Sequence, residues 1–77
     1  MSEELLLRVR TVVAATLNLP LAQVNGGTCH GHPPEWDSLA QLNIILSLEQ
    51  ELGVSLAPEQ VEAMTSVGAI VRELAGR

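Results

Sequence analysis

Apolar residues recur at three- and four-residue spacing near the start of the chain, which is the spacing of one face of an α-helix. The recurring residues are Leu5, Leu6, Val9, Val12, Val13 and Leu17. Ser2 is a candidate N-cap, and Glu3 and Glu4 place negative charge at the positive end of the helix. The pattern stops near Asn18 and Pro20, so we expect the first helix to end there.

A long connection follows, over about residues 18–36. Two clusters of turn-forming residues interrupt it, Asn25-Gly26-Gly27 and His32-Pro33-Pro34. We expect Leu19, Leu21 and Val24 to anchor this connection in the core, through a short turn after Pro20. Because connections of this length are usually either functional or disordered, the segment that leads to the second helix is of interest.

The second apolar run predicts a helix over residues 38–52, with Asp37 as its N-cap and Gly53 as its C-terminal stop. At about 100° per residue, this helix has two apolar stripes. The first is a core-facing stripe of Ile44, Ile45, Leu48 and Leu52. A polar arc follows, made of Asn43, Ser47, Gln50 and Glu51. The second stripe is Leu39, Leu42 and Leu46, flanked by Ser38 and Glu49.

The second stripe allows two interpretations. Either a central helix packs on two sides, or the stripe is an exposed apolar patch that binds partner proteins. If both hold, we expect Leu42 to be more buried than Leu39 and Leu46.

Two further helices complete the pattern. A short helix begins at Pro58, with Val61 facing inward and Glu59 and Glu62 on the surface. Thr65 or Ser66 caps a last helix that ends at Gly76. Its apolar stripe is Val67, Ile70, Val71 and Leu74. No strand-like alternation occurs, so the sequence predicts a single all-α domain over residues 1–77 with three main helices and one short helix.

Composition agrees with a small helical bundle stabilised by apolar packing. The chain has 77 residues, of which 47% are hydrophobic, and it contains one Trp and no Phe or Tyr. Cys29 is the only cysteine, which excludes an intrachain disulfide and a metal site of the repeated-cysteine type.

Charge limits the classes of partner. Nine acids against four bases give a formal charge of −5, which disfavours nucleic acid and anionic membrane surfaces and favours partners with basic surfaces. Residues 1–4 are acidic and begin no secretory signal, and no segment approaches the ~20 apolar residues of a membrane span. We therefore expect a cytoplasmic protein, monomeric in solution.

Asp37-Ser38-Leu39 is the candidate functional motif, because a serine hydroxyl at the first turn of a helix is well placed to carry a phosphate. Unpaired backbone N–H groups and the helix dipole favour an anion there. The same placement also fits a simple helix-start residue, or a hydrolase nucleophile with His30 or His32 as its base. No Gly-x-Ser-x-Gly motif surrounds Ser38.

We expect two neighbouring features to be structural. Cys29, His30 and His32 are all metal-ligand types, but three ligands within four loop residues rarely complete a tetrahedral site, and we predict no metal. Trp36 precedes the N-cap, where an apolar residue often packs back on the helix.

The chain resembles an acyl carrier protein. The resemblance rests on Asp37-Ser38-Leu39, the helix from Gln41 to Leu52, the stop Gly53-Val54 and the downstream Thr65-Ser66-Val67. It implies a four-helix bundle in which a phosphopantetheinyl transferase attaches 4′-phosphopantetheine from coenzyme A to Ser38 as a phosphodiester. The terminal thiol of this arm would carry acyl groups as thioesters.

The resemblance also implies roles for neighbouring residues. Asp37 would contribute to recognition by the transferase and its magnesium. The surface facing acyl-loading and acyl-processing enzymes would consist of Leu39, Leu42, Leu46, Glu49 and Glu51. The chain itself would not be an enzyme, since the chemistry belongs to the arm and to the partners.

Three positions depart from the common fatty-acid carrier pattern. Ala40 and Asn43 stand where acids are frequent, and Leu52 stands where a phenylalanine is common. These departures favour a specialised fatty-acid, lipid or polyketide-type pathway. A peptidyl carrier shares the fold and the attachment chemistry, and a helical interaction module without a prosthetic group remains the alternative from a different class.

Overall fold

The computed structural model describes residues 3–76, and in this range it contains four α-helices and one turn of 3₁₀ helix. The helices are α1 (Glu3–Leu17), α2 (Ser38–Leu52), α3 (Pro58–Ala63) and α4 (Val67–Ala75). The 3₁₀ turn, Leu21–Gln23, lies in the connection between α1 and α2. This arrangement confirms the predicted all-α architecture of three main helices, one short helix and a long first connection.

The predicted boundaries of α1 and α2 hold where the structure describes them. Ser2, the predicted N-cap of α1, lies outside the described residues. α1 ends at Leu17, and Asn18 follows with a φ of 57°. α2 ends at Leu52, and the next residue, Gly53, has a φ of 63° in the left-handed region that glycine adopts without strain.

Local side-chain hydrogen bonds define the two later helices. α3 starts at Pro58, and the Gln60 side chain accepts a hydrogen bond from the Ala57 N–H at 3.0 Å. Ser66, rather than Thr65, caps α4, since its hydroxyl oxygen accepts from the Ala69 N–H at 3.0 Å.

The core lies where α1 packs on α2 and on α4, while α3 packs on α4. Each main helix contributes its predicted apolar face. The fully buried residues of highest volume are Trp36, Ile44, Leu48, Met64, Ile70, Val9, Val13, Val24, Val67 and Val71. The predicted stripe of α4 is buried throughout, whereas Leu5, Leu6 and Val12 of α1 are only partly buried.

The connection between α1 and α2 is tied to α1 by Arg10. Its Nε donates to the Val24 carbonyl at 2.6 Å and its Nη2 donates to the Leu21 carbonyl at 3.1 Å. Val24 is fully buried and Leu19 partly buried, as predicted. The predicted burial of Leu21 is wrong, because its side chain is 38% exposed while its backbone carbonyl makes the contact with α1.

None of the helices within residues 3–76 has the length and apolar character needed to cross a membrane.

Candidate functional site

Ser38 is the first residue of α2, and it is exposed. The Asp37 carboxylate (Oδ1) accepts a hydrogen bond from the Ala40 N–H at 2.9 Å, and the Asp37 carbonyl accepts from the Gln41 N–H at 2.8 Å. Asp37 is therefore the N-cap, as predicted. By helix geometry the N–H groups of Ser38 and Leu39 precede this first intrahelical bond. The serine hydroxyl thus stands at the positive end of α2, which suits a covalently bound phosphate.

Trp36 packs beneath this helix start. Its side chain is fully buried, and its indole N–H donates to the Gln41 side-chain oxygen at 2.6 Å. Its backbone N–H donates to the Pro33 carbonyl at 3.0 Å, and its own carbonyl accepts from the Gly31 N–H at 2.8 Å. The predicted packing of Trp36 back onto the helix is confirmed.

Gln41 completes a contact that the sequence pattern did not indicate. Its side-chain Nε2 donates to the backbone carbonyl of Met64 at 2.8 Å, while its Oε1 accepts from the Trp36 indole. Met64 is fully buried at the end of α3. We refer to Trp36, Gln41 and Met64 as the Gln41 bridge; it joins the residue two positions before Ser38 to the segment between α3 and α4.

The rest of the connection is hydrogen-bonded to the start of α4. The Val67 N–H donates to the Thr28 carbonyl at 2.9 Å, and the Gly68 N–H donates to the Gly26 carbonyl at 3.1 Å. A Cβ added at Gly68 would approach the Gly26 carbonyl oxygen to 3.2 Å, so the close contact favours glycine there. The connection before Ser38 is consequently tied to α1 through Arg10 and to the start of α4 through the Gly26 and Thr28 carbonyls.

Cys29, His30 and His32, whose side chains are of metal-ligand types, lie in the connection between α1 and α2. Cys29 and His32 exchange backbone hydrogen bonds at 3.0 and 2.9 Å, and the His30 N–H donates to the Thr65 carbonyl at 2.8 Å. Across residues 3–76, no three His, Cys, Asp or Glu side chains converge as a metal site would require. These residues therefore have an evident structural function in the turn.

The two stripes of α2 differ sharply in exposure. Ile44, Ile45 and Leu48 are buried, whereas Leu39, Leu42 and Leu46 are 67%, 55% and 50% exposed. We refer to Leu39, Leu42 and Leu46 as the outer leucine stripe. Leu42 is less exposed than Leu39 but more exposed than Leu46, so the predicted order of burial is wrong with respect to Leu46. The exposure favours an apolar surface patch over packing on both sides.

The remaining residues of the predicted partner surface differ in their exposure. Glu51 is exposed, but Glu49 is half-buried and its Oε2 accepts from the Leu56 N–H at 2.9 Å. Asn43 is exposed, whereas Ala40 is 8% exposed. The interpretation of Ala40 as a missing acid on the partner surface is wrong, because this position faces the core; Asn43 remains on the surface.

Substitution of Asp37 separates the cap from the charge. Asp37→Ala removes the acceptor of the Ala40 N–H, and we expect it to lower the free energy of unfolding by about 0.5–2 kcal/mol. Asp37→Asn keeps a capping oxygen and should stay close to the wild type, since Asn and Asp cap about equally well. Urea denaturation of the three proteins measures both effects. Equal stability of Asp37→Ala and the wild type would contradict a contribution of this cap.

Two comparisons with known proteins bear on the function of this site. Residues 36–74 match the family described as the phosphopantetheine attachment site, a range that begins at Trp36 and includes Ser38 and the Gln41 bridge. Acyl carrier proteins of Helicobacter pylori strains G27 and HPAG1 are each 33% identical to this chain over 64 residues, which is 83% of this chain and 82% of each relative.

The open start of α2 and its exposed serine fit a phosphate-linked prosthetic group, and the similarity extends over most of the chain. The chain belongs to the acyl carrier protein family, whose members are carriers rather than enzymes and hold 4′-phosphopantetheine covalently.

Proposed function

We propose that Ser38 is the attachment point of the phosphopantetheine arm, and that this cytoplasmic, monomeric carrier holds acyl intermediates of a specialised fatty-acid, lipid or polyketide-type pathway. The observation that supports it best is the exposed Ser38 at the N-terminus of α2, immediately after the buried Trp36 and the capping residue Asp37. When bound, the arm supplies a terminal thiol that forms thioesters.

The attachment step needs only the hydroxyl of Ser38 from this chain. Its oxygen forms a bond to the phosphorus of coenzyme A that bears the pantetheine arm, the pyrophosphate bond breaks, and adenosine 3′,5′-bisphosphate leaves. The hydroxyl proton passes to a base of the transferase. The N-terminus of α2 stabilises the resulting phosphodiester anion through its unpaired N–H groups and its dipole.

Asp37 has two functions in this proposal. One carboxylate oxygen caps α2 through the Ala40 N–H. The carboxylate also carries a negative charge next to Ser38 on an exposed residue, where the magnesium ion of a transferase could approach it.

The outer leucine stripe is the proposed docking surface for the transferase and for acyl-loading and acyl-processing enzymes. Three neighbouring exposed leucines on one helix form an apolar patch that starts directly after Ser38. Leu46 borders a shallow depression of about 530 Å³, which Asn43, Ser47, Glu49 and Gln50 also line. The formal charge of −5 and the nearby acids Glu49 and Glu51 favour partners with a basic rim.

A specialised pathway is supported by Asn43. This residue is exposed beside the outer leucine stripe and is uncharged, so the surface is less negative than that of common fatty-acid carriers. Leu52 is partly buried against the core in place of the common phenylalanine. Asn43 lies where a partner would contact it, and Leu52 lies where the size of its side chain affects the packing of the core.

The attachment site is tested by intact-mass measurement after incubation with a broad-specificity phosphopantetheinyl transferase and coenzyme A. We expect the wild type to gain the mass of one phosphopantetheine group and Ser38→Ala to gain none. Ser47→Ala, a change of the same kind on the same helix, should be modified like the wild type. An unmodified wild type, or a modified Ser38→Ala, would contradict the proposal.

The recognition function of Asp37 is tested with Asp37→Asn, which keeps a capping group and loses the charge. We expect its modification by the transferase to fall at least about tenfold in kcat/KM, because a charge-assisted contact is worth about 1.5–3 kcal/mol. Time courses of intact mass measure the rate, and urea denaturation verifies that the fold is kept. A folded Asp37→Asn protein modified at the wild-type rate would refute this function.

The docking surface is tested with Leu46→Asp. We expect this change to weaken the interaction with the transferase by about 1–2 kcal/mol, seen as a higher KM, since it places a charge in an apolar contact. Leu7→Asp is the matched control, because Leu7 is similarly exposed, at 48%, and lies on a different helix, α1. If both variants behave alike, the outer leucine stripe is not the docking surface.

A further inference from the structure

Two side chains of α2 tie this helix to residues 56–64, the segment that contains α3. At one end Gln41 Nε2 donates to the Met64 carbonyl at 2.8 Å, and at the other end Glu49 Oε2 accepts from the Leu56 N–H at 2.9 Å. We refer to the region where α2 faces residues 56–64, between these two hydrogen bonds, as the α2–α3 seam. Backbone packing contributes little to it, since α3 packs mainly on α4.

Ser38 lies at the Gln41 end of the α2–α3 seam. Residues three and four apart share a face of a helix, so Ser38, Gln41 and Ile45 follow one another along the same side of α2. Ser38 is exposed, Gln41 is half-buried and Ile45 is 5% exposed. The path from the Ser38 hydroxyl into the core along this side of α2 therefore passes Gln41 first.

The interior behind Gln41 is apolar. Trp36 and Met64 are fully buried, and Ile45 lies next along the face. Leu52, Leu56 and Val61 are partly buried against the same core. An apolar chain attached through Ser38 would gain free energy by leaving water for this interior, in proportion to the area it buries.

Entry at this end would break the Gln41 bridge. The Trp36 indole N–H can only donate and the Met64 carbonyl can only accept, and both belong to fully buried residues that Gln41 pairs simultaneously. Separating them from Gln41 would leave two buried polar groups unpaired, a loss that at its upper end equals the gain from burying about seven methylene groups, which is the whole apolar part of an octanoyl chain. A short or polar acyl group cannot offset that loss.

We propose that the Gln41 bridge closes the core to the carried group, so that this carrier holds short or polar acyl groups outside the bundle. Gln41 is then a specificity-determining residue: it contacts no reacting atom and acts by keeping the α2–α3 seam shut. This inference depends on the proposed attachment at Ser38.

The wild-type chain provides the first test. A broad-specificity transferase and acyl-coenzyme A substrates load acetyl, butyryl, hexanoyl and octanoyl forms, and intact mass verifies each. We expect Tm to differ by less than about 1 °C across the series. The emission maximum of Trp36, the only tryptophan, should also stay constant. A progressive rise of Tm with chain length, or a progressive emission shift, would overturn the inference.

The second test replaces the bridge. Gln41→Leu removes both hydrogen bonds, and we expect its Tm to rise by about 5 °C or more from the acetyl to the octanoyl form, because the seam can then admit the chain. Gln50→Leu, an exposed position on the same helix, should show the flat series of the wild type. A folded Gln41→Leu protein with a flat series would show that Gln41 does not determine entry.

Loading and chain-length dependence are independent readouts. If no acyl form appears on the wild type, the attachment at Ser38 fails, and the mass spectrum alone shows this. If loading succeeds and Tm rises with chain length in the wild type, attachment stands and the closure by Gln41 fails. The wild-type series decides the inference even if Gln41→Leu does not fold.

Discussion

Gln41 accepts a hydrogen bond from the Trp36 indole and donates one to the Met64 carbonyl, and these two contacts join stretches of chain that are 28 residues apart, counted from position 36 to position 64. The hydrogen bond to Gln41 restricts the position of the Trp36 indole, and the buried indole restricts the path by which the chain enters α2. Because both partners are fully buried, the glutamine cannot be exchanged for an apolar residue without leaving a donor and an acceptor unpaired. This amide group is therefore one of the contacts that set the orientation of Ser38 relative to the bundle.

The long connection between α1 and α2 serves as a support for the same helix end. Its carbonyls accept hydrogen bonds from Arg10 on one side and from the first residues of α4 on the other. A connection held in this way keeps the start of α2, and with it Ser38, in a fixed position. If Ser38 carries the arm as proposed, this arrangement suits a carrier, since the arm would provide the reach while its attachment point stays fixed.

Helix positions, caps and the two stripes of α2 were predictable because each depends on residues within a few positions of one another, as with Asp37 and Ala40 or the apolar repeat of α4. Gln41 was not predictable, since its partner Met64 lies on another element and a single glutamine in an amphipathic pattern has no distinguishing signal. Leu21 and Ala40 were misjudged for a related reason. Apolar or small character does not reveal whether a side chain faces the core or the solvent at a helix end.

The opposite faces of α2 also have a consequence for divergence among related carriers. Stability depends on Ile44, Ile45 and Leu48, while the outer leucine stripe is exposed and contributes little to the core. If the outer leucine stripe is the docking surface as proposed, exposed positions such as Leu42 and Asn43 can change after a gene duplication and alter the set of cognate enzymes while the bundle keeps folding. Insulation of one pathway from another within the same cell can therefore evolve through a few surface substitutions on a single helix.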